Sequence, residues 1–332
     1  MGLVKNILYN IANKKYLNFL KSQNIYPYYH LVEDILPLKV KHLYQFKNIN
    51  QFENDLDLLE KKYKILKPEN LLDDKKISTN SFLLSFDDGL SEVYNVIFPI
   101  LKKRNINAIF FINPNFVDNK TMLYKHKISL IICNLEEKNF PKSDLIQISK
   151  LLSFDFQGQN DFIKKIKNTQ FSDNHKIDEI LKILNIDIQN YLQEQKPYIT
   201  KPQIQEMLDA GFYFGGHTMS HPLLGQLSHD AQKQEILDSI NWLKSNFKID
   251  YSMFAFPFTD KNISRKLINE LIEYDKNILI FGNSGLKKDI NKRIIQRFSL
   301  ENPNKNTEKQ IVTENLYKYF NKIIGKYNIK RK

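Results

Sequence analysis

The chain has 332 residues, of which 42% are hydrophobic. This length and composition support one large α/β domain with insertions, or two smaller domains, and exclude an intrinsically disordered chain. The formal charge of +12 favours anionic partners, namely nucleic acid, anionic lipid or an anionic polysaccharide. A coding bias toward lysine explains the same excess, and the sequence carries no nucleic-acid-binding motif, so we expect no nucleic-acid partner.

The sequence contains few features that indicate a cellular compartment or a membrane location. Cys133 is the single cysteine, which excludes an intrachain disulfide framework and a cysteine-rich zinc site. The N-terminus lacks the pattern of a secretory signal, and no stretch reaches the roughly 18 apolar residues of a membrane span. We therefore expect a cytoplasmic protein. The segment Leu3 to Leu20 predicts an amphipathic helix, which docks on its own domain, binds a partner or lies on the inner membrane surface.

Short apolar runs rich in Phe, Tyr and Ile predict buried strands. In chain order they are Tyr26–Leu31, Ser81–Phe86, Ala108–Ile112, Phe212–Gly215, Met253–Phe256, Ile278–Phe281 and Arg293–Phe298. Segments with helical periodicity lie between them. Three examples are Phe52 to Tyr63, Ile236 to Phe247 behind a Ser228 N-cap, and a helix that a Thr200–Gln203 capping box opens and Gly211 ends.

Alternation of strands and helices predicts a parallel sheet with helices outside it, either doubly wound or closed into a barrel. The alternation breaks from about Val117 to Tyr198, where the pattern is helical and polar. We expect this stretch to be a helical insertion that borders the functional cleft. A final helix, about Glu308–Ile324, is predicted near the end of the chain.

Two clusters of polar residues follow predicted strands. The first is Asp87-Asp88-Gly89, in which adjacent carboxylates on extended backbone point in different directions and can do different jobs. The second contains His217 and His221, whose spacing of four residues lets both converge on one ion. Each cluster alone is also compatible with an ordinary surface turn.

Taken together, the clusters are more specific. One aspartate and two histidines form a three-ligand metal set that leaves coordination positions open for water and substrate. A metal lowers the pKa of bound water to about 7, and a neighbouring carboxylate can then accept its proton. The sequence therefore predicts a catalytic metal centre.

At these residues the chain resembles the polysaccharide deacetylase family, carbohydrate esterase family 4, also called the NodB homology domain. The resemblance extends from Tyr29 to about Leu300, outside the insertion. The matching segments are Tyr29-His30, Phe86-Asp87-Asp88-Gly89, Ala108–Ile112, His217-Thr218-Met219-Ser220-His221 and Phe254-Ala255-Phe256-Pro257-Phe258.

The resemblance implies a distorted (β/α) barrel over residues 25–302, preceded by a helical arm (1–24) and followed by a C-terminal helix with a basic tail (303–332). It implies hydrolysis of acetyl groups from an N- or O-acetylated sugar or polysaccharide, with one divalent metal, usually zinc. A lipid-linked or nucleotide-linked glycan precursor at the inner membrane face is a separate hypothesis, drawn from the absence of a secretory signal. The implied roles are general base for Asp87, metal ligands for Asp88, His217 and His221, support of the histidine loop for Thr218, and an oxyanion-binding backbone N–H at Phe258.

The chain departs from the family pattern at two roles. Ala255 stands where an arginine usually orients the base, and Arg297 either supplies that charge from another strand or forms a surface salt bridge. The usual late acid histidine is missing, which leaves His30 and His126 as candidates, although packed or surface histidines fit the same pattern.

These departures keep a second interpretation open, a catalytically weakened or inactive carbohydrate-binding member of the same fold. A weaker acid also fits an O-acetyl ester substrate. We further predict substrate contacts from Tyr124, Lys125 and His126 at the start of the insertion.

Overall fold

The computed structural model describes residues 2–13, 15, 24–73 and 79–332. Its strands are β1 (Pro27–Tyr29), β2 (Lys64–Ile65), β3 (Ser81–Phe82), β4 (Leu84–Phe86), β5 (Ala108–Ile112), β6 (Tyr213–Gly216), β7 (Met253–Ala255), β8 (Leu279–Gly282), β9 (Ile294–Gln296) and β10 (Phe298–Ser299). Its α-helices are α1 (Gly2–Ile11), α2 (Ile49–Lys62), α3 (Pro68–Leu72), α4 (Phe98–Lys103), α5 (Tyr124–Glu137), α6 (Lys142–Leu151), α7 (Gln159–Lys167), α8 (Asn174–Ile183), α9 (Ile188–Gln195), α10 (Lys201–Asp209), α11 (His229–Asn246), α12 (Arg265–Tyr274) and α13 (Thr307–Ile323).

Eight parallel strands form the central sheet in the order β10-β1-β4-β5-β6-β7-β8-β9. Only Arg297 separates β9 from β10, so the two ends of this order are one stretch of chain and the sheet nearly closes on itself. The predicted distorted (β/α) barrel is therefore confirmed. Because all strands run in parallel, their carboxyl ends lie on one rim, where active sites of such barrels form.

The barrel strands show why the sequence folds this way. On β5, Ala108, Phe110 and Ile112 pack outward against helices, while Ile109 and Phe111 point to the other face and pack inside the barrel. Both faces are buried, which explains the continuous apolar runs in the sequence. Burial of such strands on both sides makes the barrel a rigid support for its rim.

Two predicted strands are interrupted. Leu83 separates β3 from β4, and β3 pairs with β2 in a small separate sheet. Strand β2 was not predicted, because Lys64 and Ile65 are both exposed and show no apolar alternation. The second interruption falls at Arg297, whose backbone N–H donates to the Gly282 carbonyl at 3.0 Å.

The stretch from Val117 to Tyr198 is helical, as predicted. It contains α5 to α9 and forms its own hydrophobic cluster around Ile128, Ile131 and Phe162. Its end joins the turn that follows the two aspartates, because Ile199 N–H donates to the Gly89 carbonyl at 3.0 Å. The insertion is thereby fixed beside the barrel rim.

The described N-terminal helix is shorter than the predicted Leu3 to Leu20 segment. Helix α1 ends at Ile11, and residues 14 and 16–20 of that segment lie outside the described residues. The helix packs on α13, where Lys5 pairs with Glu314 at 2.5 Å. In the part of the chain that the structure describes, no helix has the length and apolarity needed to cross a membrane.

Candidate metal and catalytic site

The two clusters singled out in the sequence meet at the carboxyl rim of the barrel. Asp87 and Asp88 follow β4, and His217 follows β6, two strands away in the sheet. Gly89 turns the chain after Asp88 with φ +64°, and a Cβ there would lie 2.9 Å from the side chain of Ile112 on the intervening strand. Glycine is therefore required to bring the Asp88 turn this close to β5.

Asp88, His217 and His221 converge on one point. Asp88 Oδ1 lies 3.0 Å from His221 Nε2 and 3.4 Å from His217 Nε2. Their ligand atoms all lie within 4.8 Å of one another, and all three residues are buried. Among the described residues, Asp88 Oδ1 has no hydrogen-bond partner, which is costly for a buried carboxylate oxygen. The donor set and this orphaned oxygen fit a divalent cation bound among the three residues.

The first histidine is oriented by groups behind it. His217 Nδ1 lies 2.8 Å from the Ala255 carbonyl, so that nitrogen carries the proton and Nε2 faces the aspartate with its lone pair free. The Asn113 side-chain amide donates to the His217 carbonyl and, at 3.1 Å, to the Thr218 carbonyl. These contacts hold the loop in the form in which both histidines can reach the same ion.

The Thr218 hydroxyl makes two hydrogen bonds within this loop. Its hydroxyl oxygen accepts the His221 backbone N–H at 3.0 Å, and its hydroxyl donates to the His217 carbonyl. Left-handed backbone concentrates here, with φ values of 73° at Asp88, 67° at Thr218, 58° at His221 and 52° at Phe258. Non-glycine residues adopt this conformation at a cost, and it clusters at functional sites.

Arg297 lies inside the barrel, not on the surface. Its guanidinium binds Asp87 through both terminal nitrogens, Nη1 to Oδ1 at 2.7 Å and Nη2 to Oδ2 at 2.9 Å. It also donates to Ser85 Oγ at 2.8 Å and stacks over the ring of Tyr28 at 4.7 Å. The surface salt bridge considered for Arg297 is therefore excluded, and its charge does come from another strand.

This environment keeps both carboxylates ionised. Burial opposes the charge of Asp87, but the Arg297 guanidinium outweighs it and lowers the pKa of Asp87 below its usual value. The two histidines, His221 foremost, likewise outweigh burial and hold the pKa of Asp88 well below the usual range. At neutral pH, Asp87 is an acceptor for a proton and Asp88 is an acceptor for a cation.

His30 follows β1 and lines the same cavity. Its Nδ1 lies 2.9 Å from Glu301 Oε2, and its backbone N–H donates to the same carboxylate at 3.0 Å. Burial alone would lower the pKa of His30, but the charge and hydrogen bond of Glu301 raise it to about 10. The imidazole is therefore protonated at neutral pH, although 21% of the side chain remains exposed.

His126 has the opposite character. It is buried, and its Nδ1 lies 2.7 Å from the Tyr198 hydroxyl. Burial lowers its pKa to about 3, so its imidazole is neutral at any physiological pH. His126 lines the cavity as a hydrogen-bonding group and does not carry a proton for donation as an imidazolium.

A cavity of about 390 Å³ joins these groups. Asp87, Asp88 and His221 lie at its floor, and aromatic side chains and residues of the insertion form its walls, so the insertion borders the cleft as predicted. The wall residues are Tyr28, His30, His42, Leu43, Tyr44, Leu123, Lys125, His126, Lys167, Asn168, Phe256, Phe258 and Asn283.

Tyr124 is not among these residues. Its ring packs into the core of the insertion, 5.4 Å from that of Phe171, because Tyr124 and Ile128 lie one helical turn apart on the buried face of α5. Tyr124 therefore lies away from this cavity, and a substrate contact from it stays a prediction that the geometry does not favour. Phe258 does line the cavity; its side chain is 46% exposed, and its carbonyl accepts from Asn283 Nδ2 at 2.7 Å.

Several groups at the site were not predicted. They include the Ala255 carbonyl, Asn113, Glu301 and Tyr44, whose buried hydroxyl has no hydrogen-bond partner among the described residues. Asn113 and Glu301 each come directly after a strand or within two residues of one, as the aspartates do, and that position was the available signal. Nothing in the local sequence marks Tyr44.

A buried three-ligand cluster beside an arginine-bound carboxylate, on the rim of a (β/α) barrel, is the arrangement that metal-dependent hydrolases use. A family model described as "Polysaccharide deacetylase" matches residues 74–134 and 163–276, slightly more than half of the chain. The chain belongs to the polysaccharide deacetylase family and is a hydrolase of that class. The match is interrupted over residues 135–162, inside the helical insertion.

Solved structures share the fold at low identity. The Streptococcus pyogenes deacetylase PplD, solved in complex with acetate, is 17% identical, with a TM-score of 0.56 over 88% of this chain and 98% of that one. IcaB from Ammonifex degensii is 16% identical, with a TM-score of 0.53 over 89% and 97%. A de-N-acetylase from Aggregatibacter actinomycetemcomitans is 16% identical, with a TM-score of 0.52 over 87% and 99%. No curated protein sequence matches the chain.

Proposed function

We propose that this protein removes an acetyl group from a sugar, using one divalent metal held by Asp88, His217 and His221 and Asp87 as general base. The observation that carries the proposal is the meeting of this buried ligand set with an arginine-bound carboxylate in one cavity. Zinc suits two imidazoles and one carboxylate, and members of the family generally use a divalent metal. The substrate would be an acetylated polysaccharide or a lipid-linked glycan.

The residues divide the proton transfers between them. A bound cation would acidify water and polarise the acyl carbonyl. Asp87, ionised and held by Arg297, accepts the proton of the water as its oxygen bonds to the acyl carbon. By analogy with the family, the backbone N–H of Phe258 stabilises the oxyanion that forms.

His30 supplies the proton for the leaving group. The carbon–nitrogen bond breaks most readily when the amine leaves protonated, and Glu301 keeps His30 in the form that can donate. His126 is less suited to this step because it is neutral. A protonated histidine in the cavity favours an N-acetyl over an O-acetyl substrate, and together with Arg297 it argues against an inactive binding protein.

The proposal is tested by acetate release from N- and O-acetylated sugars with added Zn²⁺. We expect Asp87→Asn and Asp88→Asn each to lose at least about 10²-fold in kcat, since one lacks the base and the other a ligand. Asp57→Asn, at an exposed ion pair with Arg104, is the matched control and should retain full activity. A wild-type protein that releases no acetate would refute the activity, whereas full activity of Asp88→Asn would refute the metal site alone.

We also propose that α1 gives the protein a peripheral contact with an anionic membrane. Leu3, Ile7 and Ile11 form an exposed apolar stripe on this helix, and lysines of the neighbouring α13 region, such as Lys305 and Lys309, flank Tyr9. Cosedimentation with vesicles containing an anionic lipid should fall when all three stripe residues are replaced by Gln. Unchanged cosedimentation would exclude this helix as the contact.

A further inference from the structure

The wall of the cavity that the insertion provides carries a charge that the reaction does not use. Lys125 lies on α5, Lys167 is the last residue of α7, and both line the cavity that holds Asp87 and Asp88. Neither residue has a part in the proposed proton transfers. Their position facing the site raises the question of what they bind.

Lys125 is held firmly in place. Its ammonium donates to the carbonyls of Lys167 at 3.3 Å and Thr169 at 3.1 Å, at the carboxyl end of α7. Two acceptors leave one of its three N–H groups for another partner. Burial, and then the charge of Lys167, lower the pKa of Lys125, so the two ammonium groups lie close enough to repel each other.

No carboxylate of the described residues lies within ion-pair distance of either ammonium. Glu136 contacts His42 of the same cavity wall at 3.3 Å, but Lys41 also binds this carboxylate at 3.0 Å. The two cavity lysines therefore form a positive patch without a counter-charge from the described part of the protein.

The other charges of the cavity are already balanced. Asp87 is paired with Arg297 and His30 with Glu301. Asp88 is the single carboxylate facing the proposed divalent cation in the three-ligand set, which leaves that centre positive as well. The wall that the insertion forms therefore carries the unbalanced positive charge of the cavity and attracts anions.

We propose that Lys125 and Lys167 bind an anionic group, a carboxylate or a phosphate, carried by the acetylated glycan near the acetyl group that is removed. This inference rests on the proposed function, and it specifies the substrate as an acidic or phosphorylated sugar. It also gives the insertion a role, because α5 and α7 bring the two lysines to the cavity.

A purely structural role would account for Lys125 but not for Lys167. Lys125 neutralises the carboxyl end of α7, which by itself stabilises that helix. Lys167 has an exposed side chain and makes no such contact. Lys164 and Lys165 lie on the same helix, are equally exposed and do not line the cavity, so they are matched controls for its charge.

The test compares three substrates that differ in charge: N-acetylglucosamine, its 6-carboxylate N-acetylglucosaminuronic acid, and N-acetylglucosamine 1-phosphate. We expect KM to be about fivefold lower or more for at least one anionic sugar, as one or two partly exposed charge pairs provide. Lys167→Glu should abolish this preference, and Lys165→Glu should preserve it. A preference for the carboxylate or for the phosphate identifies the group.

Equal KM values for all three sugars, or equal effects of Lys167→Glu and Lys165→Glu, would overturn the inference and leave the proposed function standing. If the wild type hydrolyses none of the sugars, the proposed function fails, and binding decides the inference. The dissociation constants of the same sugars are then measured by calorimetry on metal-depleted protein. Tighter binding of an anionic sugar that depends on Lys167 supports the inference, and equal dissociation constants refute it.

Discussion

The barrel rim and the insertion wall face the same cavity but are built differently. At the rim, Asp87, Asp88 and His217 are buried. Arg297 holds Asp87, and the Ala255 carbonyl on β7 orients His217. On the insertion wall, Lys167 and Asn168 are exposed and held only at their backbone. This difference assigns the chemistry to the barrel rim, which is rigid and holds the reacting groups accurately. It assigns substrate selection to the insertion, whose residues can change without disturbing the rim.

We expect the largest loss of stability when Arg297 at the rim is replaced. Arg297→Met leaves Asp87 buried without its partner, which should cost about 3–5 kcal/mol of unfolding free energy. Asp87 contributes stability above its ordinary pKa, and that contribution disappears as pH falls through its lowered folded pKa. In the variant the pKa of Asp87 rises, so the acid limb of the kcat/KM profile should move to higher pH.

Arg104→Met is the control for this prediction. Arg104 binds Asp57 and Glu60 at the surface, where such pairs contribute about 1 kcal/mol or less. Urea unfolding of both variants gives the two free energies directly. Equal losses of unfolding free energy for Arg297→Met and Arg104→Met would show that the rim contacts contribute no more to stability than those at the surface.

A smaller effect is expected at the pair that links His30 to Glu301. The raised pKa of His30 means that the pair stabilises fully below the ordinary value near 6.5 and is lost as pH rises through about 10. Glu301→Gln removes the carboxylate, so His30 loses its proton at lower pH. Amide hydrolysis at pH 8 should fall about tenfold relative to pH 6, and ester hydrolysis should fall less.

Glu270→Gln serves as the comparison here, because Glu270 pairs with the surface residue His229 at 3.1 Å, away from the cavity. Its pH–rate profile should match that of the wild type. An unchanged alkaline limb in Glu301→Gln would remove His30 from the role of acid.

The smallest expected effect concerns Tyr44, whose ring stacks on His30 at 4.9 Å between the two regions. Its buried hydroxyl lacks a partner, so Tyr44→Phe should not lower stability but should raise KM by about fivefold, as loss of one substrate hydrogen bond does. Tyr29→Phe, which removes a hydrogen bond to Asp55, should instead lower stability by about 1 kcal/mol and leave KM unchanged. The reverse pattern would place Tyr44 among the structural residues.

The sequence predicted the barrel strands and the converging aspartate and histidines because these signals are local. An apolar run ends, a polar residue follows, and parallel strands bring their ends together. Arg297 could be named as a candidate, but its burial against Asp87 depends on closure of the barrel. Glu301 and Asn113 act through partners far away in the chain, which no local pattern specifies.

The insertion was predictable in type and not in detail. Its helical character followed from periodicity, but the side chains that face its own core were not all identified. Tyr124 was read as a substrate contact although its spacing to Ile128 and Ile131 matches the buried face of α5. The assignment of arm, barrel and C-terminal segment as separate units stays a prediction.

The central claim is that Asp88, His217 and His221 hold one divalent metal. An anomalous difference map above the zinc edge, from crystals grown with zinc, tests it most directly. We predict one strong peak bound by Asp88 and by Nε2 of both histidines, and loss of this peak in Asp88→Asn. Absence of a peak among these three side chains, or an undiminished peak in Asp88→Asn, would contradict the account.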